Sequence, residues 1–196
     1  MTARDGWVFM FLAGIVSAVT VVTPFTQSDL HGIARVSGKP AADVLVWLDA
    51  PGTEAAAKEA PAILDQRNLS FSPQVLIVRA GTTIEFPNND RVFHNVFSFR
   101  DGKRFDLGLY PIGSVKHVQF DRPGVSRLFC NIHPRMAAYV VAVDSAFFAV
   151  SDEDGHFSLA GVPAGSYTYH AWHAGGSPMT GIVAVEPGSR LDVRWP

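Results

Sequence analysis

From residue 30 onward turn signals arrive too often in this sequence for helices to form outside residues 51–60. Between residues 30 and 195 the apolar segments are closed by Ser37-Gly38-Lys39-Pro40, Ala80-Gly81, Pro87-Asn88-Asn89-Asp90, Asp121-Arg122-Pro123-Gly124, Asp154-Gly155, Pro163-Ala164-Gly165 and Pro187-Gly188. Punctuation this dense favours strands of roughly four to eight residues and leaves no room for a helical period. Strands are predicted over residues 30–36, 43–48, 75–77, 84–86, 92–99, 115–120, 126–130, 137–143, 147–150, 157–159, 166–173, 181–185 and 190–195. Within 43–48, Val44, Val46 and Leu48 share one face, and Leu45 and Trp47 the other. Together with 30–36 this segment reads as a β-hairpin. The expected fold class is all-β.

Composition removes several classes of function. With 47% hydrophobic and 17% charged residues the chain carries enough apolar side chains for a core and is not a disordered or coiled-coil sequence. A formal net charge of -2 provides no basic field, so no nucleic-acid partner is expected. Residues 1–6 are polar and 7–22 are uninterruptedly apolar or small, ending before Thr23-Pro24. That is the shape of an export leader, so residues 1–28 are expected to be a signal peptide or a membrane anchor, with 7–22 as the anchoring stretch if retained. The compartment implied is the periplasm or another extracytoplasmic space. Residues 51–60, PGTEAAAKEA, read as a linker or a short exposed helix.

A single cysteine, Cys130, rules out an intrachain disulfide and leaves the thiol inert, reactive or metal-bound. Its neighbours favour the last. In Cys130-Asn131-Ile132-His133-Pro134-Arg135-Met136, a thiolate, an imidazole and a thioether lie in one loop between two predicted strands. Soft sulfur with imidazole nitrogen suits copper, because sulfur stabilises Cu(I) and imidazole accepts Cu(II). A trigonal site needs one more histidine, and a sandwich could bring His94, at the start of a strand after the Asn88-Asn89-Asp90 loop, beside the Cys130 loop. Two His, one Cys and a weak axial Met make the blue-copper donor set. A cysteine nucleophile activated by His133 or His94 is the rival reading. It explains neither Met136 nor the flanking strands, and no glycine cluster lies close enough for an oxyanion hole.

Residues 68–143 resemble the cupredoxins, in particular the plastocyanin- and amicyanin-like electron carriers. The resemblance rests on Phe71-x-Pro73, Val75, Val78, Gly81, Ile84-x-Phe86-x-Asn88-x-Asp90, His94-Asn95-Val96 and the short C-x-x-H-x-x-M loop. It implies a Greek-key sandwich with one type 1 mononuclear copper, His94, Cys130 and His133 as equatorial ligands and Met136 as axial ligand. It also implies that Asn95 ties the His94 strand to the cysteine loop, that Pro134 stiffens His133, and that electrons leave through the outer edge of His133 at an apolar rim. A second resemblance, to the carboxypeptidase regulatory-like domain of transthyretin type, is carried by Phe148-Ala149-Val150-Ser151-Asp152, Gly155-x-Phe157-x-Leu159-x-Gly161-Val162-Pro163-x-Gly165-x-Tyr167 and residues 181–193. The opening segment of that family lies far upstream, at residues 32–48. The implied architecture is therefore a split host sandwich, 29–50 and 145–196, with a cupredoxin-like domain at 61–144 inserted through the linker 51–60. Alternatively, 32–48 adds strands to the copper sandwich.

The expected function is transfer of single electrons between redox protein partners, without bond-making catalysis. Copper handling, in which the protein delivers the metal and never cycles, is the alternative. A copper oxidase, the third reading, needs the histidine-rich motifs of a trinuclear cluster, which this sequence lacks. The other histidines promise less. His170 and His173 are an odd number apart on one strand and point to opposite faces. His31, His117 and His156 stand alone. Asp152-Glu153-Asp154-Gly155 fails the calcium-loop pattern, since its twelfth position is Pro163, and reads as a polar turn. Arg100 to Arg104 forms a basic tip suited to a solvated turn or an acidic partner.

Overall fold

The computed structural model describes residues 27–50, 62–99 and 102–196. The leader up to residue 26, the linker 51–60 and the tip residues Arg100 and Asp101 lie outside the described residues. Every regular element among the described residues is a strand, so the chain is all-β. No helix among them is long and apolar enough to cross a membrane. The first strand, Gln27–Val36, starts two residues inside the stretch read as leader, and Gln27 and Ser28 already pair with Pro163 and Val162.

The larger sheets stack in four layers, beside a two-stranded ribbon of Asp65–Arg67 and Ser70–Ser72. In the first, Gln27–Val36 lies between His156–Pro163, antiparallel, and Arg190–Trp195, parallel. The second runs Phe148–Val150, Leu45–Leu48, Gly165–Trp172, Met179–Val185, with antiparallel neighbours throughout. Between these layers Leu30, Val44, Val46, Leu48, Phe157, Leu159 and Val193 form a buried core, with Tyr167 packed against it. Gly32 is needed there, because a Cβ would stand 2.1 Å from the Phe157 ring and 2.3 Å from the Leu191 carbonyl oxygen.

The third layer is ordered Phe105–Tyr110, His94–Ser98, Gly124–Phe129, Ala137–Val143, Val75–Arg79, the last pair being parallel. The fourth contains Val115–Phe120, Thr82–Pro87 and Ala62–Ile63. Phe71, Ile84, Phe86, Val96, Phe120, Leu128, Cys130, Met136 and Val140 fill the space between them. A third cluster joins layers two and three: Leu45 and Trp172 meet Val75, Ile77, Val141 and Val143, all buried.

The expected opening hairpin does not form as read. After Ser37-Gly38 the chain folds back on Gln27–Val36 only at Lys39–Pro40, and Leu45–Leu48 crosses to the opposite sheet to pair with Phe148–Val150 and Gly165–Trp172. The reason is burial on both faces. Val46 and Leu48 enter one core while Leu45 enters the cluster between the sandwiches, which an exposed hairpin arm cannot provide. The buried Ser151 hydroxyl fixes the crossing, accepting from the Val44 N–H at 3.0 Å and donating to the Ala41 carbonyl at 2.7 Å.

Candidate metal centre

Gly124–Phe129 and Ala137–Val143 pair in register from Gly124 with Ala142 to Phe129 with Ala137, so residues 130–136 are the tip of a hairpin. The tip is closed by its own backbone. The Cys130 N–H donates to the Met136 carbonyl at 3.3 Å, and the Met136 N–H to the His133 carbonyl at 2.9 Å. Cys130 and Met136 turn into the core of the third and fourth layers, and His133 is half-buried at its edge.

His94 arrives from the neighbouring strand and is fully buried. Its Nδ1 lies 3.8 Å from Cys130 Sγ and 3.0 Å from His133 Nδ1, and the latter lies 3.6 Å from Sγ. The rings of His94 and His133 meet edge-on at 4.8 Å. Two imidazole nitrogens and a sulfur thus lie within reach of one ion, one ligand atom from each residue. A thiol–imidazole catalytic pair needs only one of these histidines, whereas a soft cation satisfies all three donors together. The donor set fits copper. The predicted ligands His94, Cys130 and His133 are brought together, and Met136 is buried in the same core.

The surroundings orient these donors. His94 Nε2 donates to Asp90 Oδ2 at 2.9 Å, which leaves Nδ1 free to face the sulfur. Asp90 also accepts from the Leu69 N–H at 2.7 Å and the Arg91 N–H at 2.7 Å. Burial pushes this carboxyl up, but the hydrogen bonds from Leu69, His94 and Arg91 outweigh it and hold its pKa at about 2. Asn88, fully buried, shapes the loop by donating to the Val92 carbonyl at 2.9 Å and the Tyr110 carbonyl at 3.2 Å and accepting from the Asp90 N–H at 3.1 Å. Asp90→Asn keeps an acceptor but loses the charge. It is expected to lower copper affinity by about 10- to 100-fold, read by competition with a chelator, as loss of a carboxylate behind a ligating histidine does.

Asn95 links the His94 strand to the cysteine loop, its Oδ1 accepting from the Asn131 N–H at 3.4 Å. The side chain is itself held by Asp106, whose Oδ1 accepts from Asn95 Nδ2 at 2.7 Å and from the Gly108 N–H at 2.8 Å. Behind the site, the Tyr110 hydroxyl donates to the Phe86 carbonyl at 3.2 Å and receives the Gln66 amide. Burial raises the Tyr110 pKa to about 12, against the Gln66 hydrogen bond and with a further push from Cys130.

Asp90, Asp106, Tyr110 and Gln66 were given no role by the sequence. Four of the other histidines have local partners: His170 pairs with Asp49 at 2.9 Å and stacks on Trp47, His173 lies edge-on to Trp195, His117 lies 3.5 Å from Glu85 and His156 3.8 Å from Asp152. Asp152 builds a turn, accepting from the Asp154 and His156 N–H groups. At the basic tip, Lys103 pairs with Asp121 at 3.0 Å.

No family model and no curated protein matches the chain. Solved structures do resemble part of it. A purple cupredoxin from Nitrosopumilus maritimus is 26% identical with a TM-score of 0.39, covering 42% of this chain and 99% of its own. A reduced amicyanin variant is 21% identical with a TM-score of 0.40, covering 50% of this chain and 98% of its own. A copper-containing nitrite reductase from Thermus scotoductus SA-01 is 24% identical with a TM-score of 0.42 over 48% of this chain, which spans only 25% of that enzyme.

Proposed function

We propose that this is an exported blue copper protein that carries single electrons between redox partners. One type 1 copper would be held by His94, Cys130, His133 and Met136 in a cupredoxin-like sandwich. The observation that carries the reading is the convergence of two imidazole Nδ1 atoms and one thiol sulfur within 3.8 Å of one another. Bound there, copper supplies a one-electron couple between Cu(I) and Cu(II). The chain's own part is to keep the donors still. Asp90 fixes the tautomer and tilt of His94, Asn95 bolts its strand to the loop, and the closed hairpin tip holds Cys130 against Met136. Donors fixed in this way change little between two oxidation states, which favours cycling over delivery.

Partner docking is proposed at the rim of His133, where its sequence neighbour Ile132 and the residues before His94, Val92 and Phe93, are all exposed. The partner is a redox protein presenting an apolar face. For the domains we propose a host of residues 29–50 and 145–196, regulatory-like in type, with 61–144 inserted and 51–60 as connector. The pairing of Leu45–Leu48 with Phe148–Val150 and Gly165–Trp172 supports it. A periplasmic or other extracytoplasmic location follows from the leader-like residues 7–22.

The test is to load the protein with Cu(II) and cycle it between a mild reductant and a mild oxidant in the presence of a competing chelator. Intense thiolate charge-transfer colour that returns undiminished over many cycles is expected. Steady loss of copper to the chelator on reduction points to delivery instead, and a colourless copper complex ends the blue-copper reading.

A further inference from the structure

Nothing in the ligand set itself calls for a second sandwich, yet the second sandwich covers the outer face of the hairpin that carries the ligands. Trp172, buried at the end of the strand Gly165–Trp172, meets Tyr139 edge-on with ring centroids 5.1 Å apart. Tyr139 stands three residues after Met136 and pairs with Arg127 across the hairpin. The Arg127 guanidinium lies over the Tyr139 ring at 5.6 Å and over the Phe129 ring at 4.8 Å. Phe129 immediately precedes Cys130 and packs on Phe97 at 5.8 Å, three residues after His94. A row of side chains thus runs from Trp172 across the strands that bear Met136, Cys130 and His94. Below it Val141, Val143, Val75 and Ile77 close against Leu45 and Trp172.

We propose that Trp172 is a positioning residue for the metal centre: by bracing Tyr139 it holds the 130–136 hairpin tip, and the second sandwich is thereby part of the ligand scaffold. The tip has backbone closure from within and core packing on its inner face. Its outer face carries this row, beside the Asn131 N–H bond to Asn95 and the Tyr139 N–H bond to the Gln74 carbonyl at 2.8 Å. Trp172 is the member that the second sandwich supplies, so removing Trp172 loosens the root of the hairpin locally while the rest of the fold stays intact. The effect on bound copper rests on the proposed function, whereas the effect on the free thiol does not.

Cys130 is the single cysteine and is buried, which makes its labelling rate a local gauge of tip opening. In full-length, metal-free protein under native conditions, Trp172→Ala is expected to react with a disulfide reagent about tenfold faster than wild type, equivalent to ~1.4 kcal/mol of tip closure. Trp172→Phe, which keeps a ring against Tyr139, should stay close to wild type. Val193→Ala removes packing from the host core without touching the hairpin and serves as the control for global stability. Equal acceleration in Val193→Ala and Trp172→Ala would mean that the thiol is exposed by global opening, and would overturn the proposal. So would a labelling rate in Trp172→Ala equal to that of wild type. Should Trp172→Ala not fold, Trp172→Leu and Tyr139→Leu make the same comparison from both sides of the contact.

With Cu(II) added, Trp172→Ala should shift and broaden the charge-transfer band and Trp172→Phe should restore it, a signature that loss of stability alone does not produce. A wild type that gives no such band refutes the blue-copper reading, while the labelling comparison still decides the role of Trp172.

Discussion

Cys130→Ser is expected to abolish the visible charge-transfer absorption of the copper-loaded protein outright. The colour arises from a thiolate donating into Cu(II), and the chain has one sulfur of that kind. A serine hydroxyl is harder, is not ionised at neutral pH, and leaves His94 and His133 as the strong donors, so copper affinity should fall with the colour. The same change puts a more polar hydroxyl into the buried position from which the sulfur faces His94 Nδ1 and His133 Nδ1, so the metal-free stability changes as well. The metal-free melting temperature must therefore be measured beside the spectrum, so that loss of the site is separated from loss of the fold. Met136→Leu is the contrast. Leucine fills nearly the same volume in the same buried position, so the fold and colour should survive, while removal of the soft thioether should raise the reduction potential. Retention of the absorption band in Cys130→Ser would remove the thiolate from the metal and with it the basis of the site.

How much of this was legible in the sequence depends on how local each signal is. Cys130, His133 and Met136 share one hairpin tip, so their spacing alone announces a donor cluster. His94 required the added idea of a sandwich, and that idea was supplied by the alternating strands around it. Asp90 reads as one more turn residue, because its bond to His94 exists only once Asn88 has folded the 88–92 loop back on itself. The strand Phe105–Tyr110 escaped notice for a related reason. Its pairing with His94–Ser98 is interrupted between Asp106 and Leu109, where Gly108 takes a φ of 65°, and such a break erases the period-two pattern. The same irregularity lets Asp106 hold Asn95. The contact between the sandwiches was visible in principle. Residues 44–48, 75–78 and 139–143 are apolar at every position, the mark of a strand covered on both faces. The alternation of Val44, Val46 and Leu48 with Leu45 and Trp47 describes two faces but not which sheet each strand joins, so adjacency in the chain alone makes 43–48 a hairpin partner of 30–36.

The nested architecture carries the other large expectation. Trp47 and Phe148 are antiparallel partners, and the Leu48 N–H donates to the Phe147 carbonyl at 3.0 Å, so in the proposed insertion the chain would leave the host and return to it at adjacent points of one sheet. Replacing residues 51–144 with a short Gly/Ser bridge therefore converts the insertion into an ordinary loop between paired strands. In the unfolded-chain approximation, shortening that loop by roughly four halvings returns about 2.5 kcal/mol of closure entropy, and less if the folded insert already holds its ends together. Against this stands the exposure of Leu45 and Trp172, each buried beneath the insert. Uncovering a leucine alone costs about 1.5 to 3 kcal/mol, and the tryptophan adds more, so a net loss of stability is expected. The core of Leu30, Val46, Leu48, Phe157, Leu159 and Val193 is untouched by the deletion. The bridged chain should therefore melt cooperatively at a lower temperature, keep a β-rich circular dichroism spectrum, and bind an apolar dye on its newly bared sheet. It should take up no copper and show no colour. An unfolded bridged chain, together with a stable copper-binding fragment spanning 27–144, would mean that residues 27–48 draw their stability from the copper sandwich rather than from the C-terminal strands, and the insertion would have to be abandoned in favour of two consecutive domains.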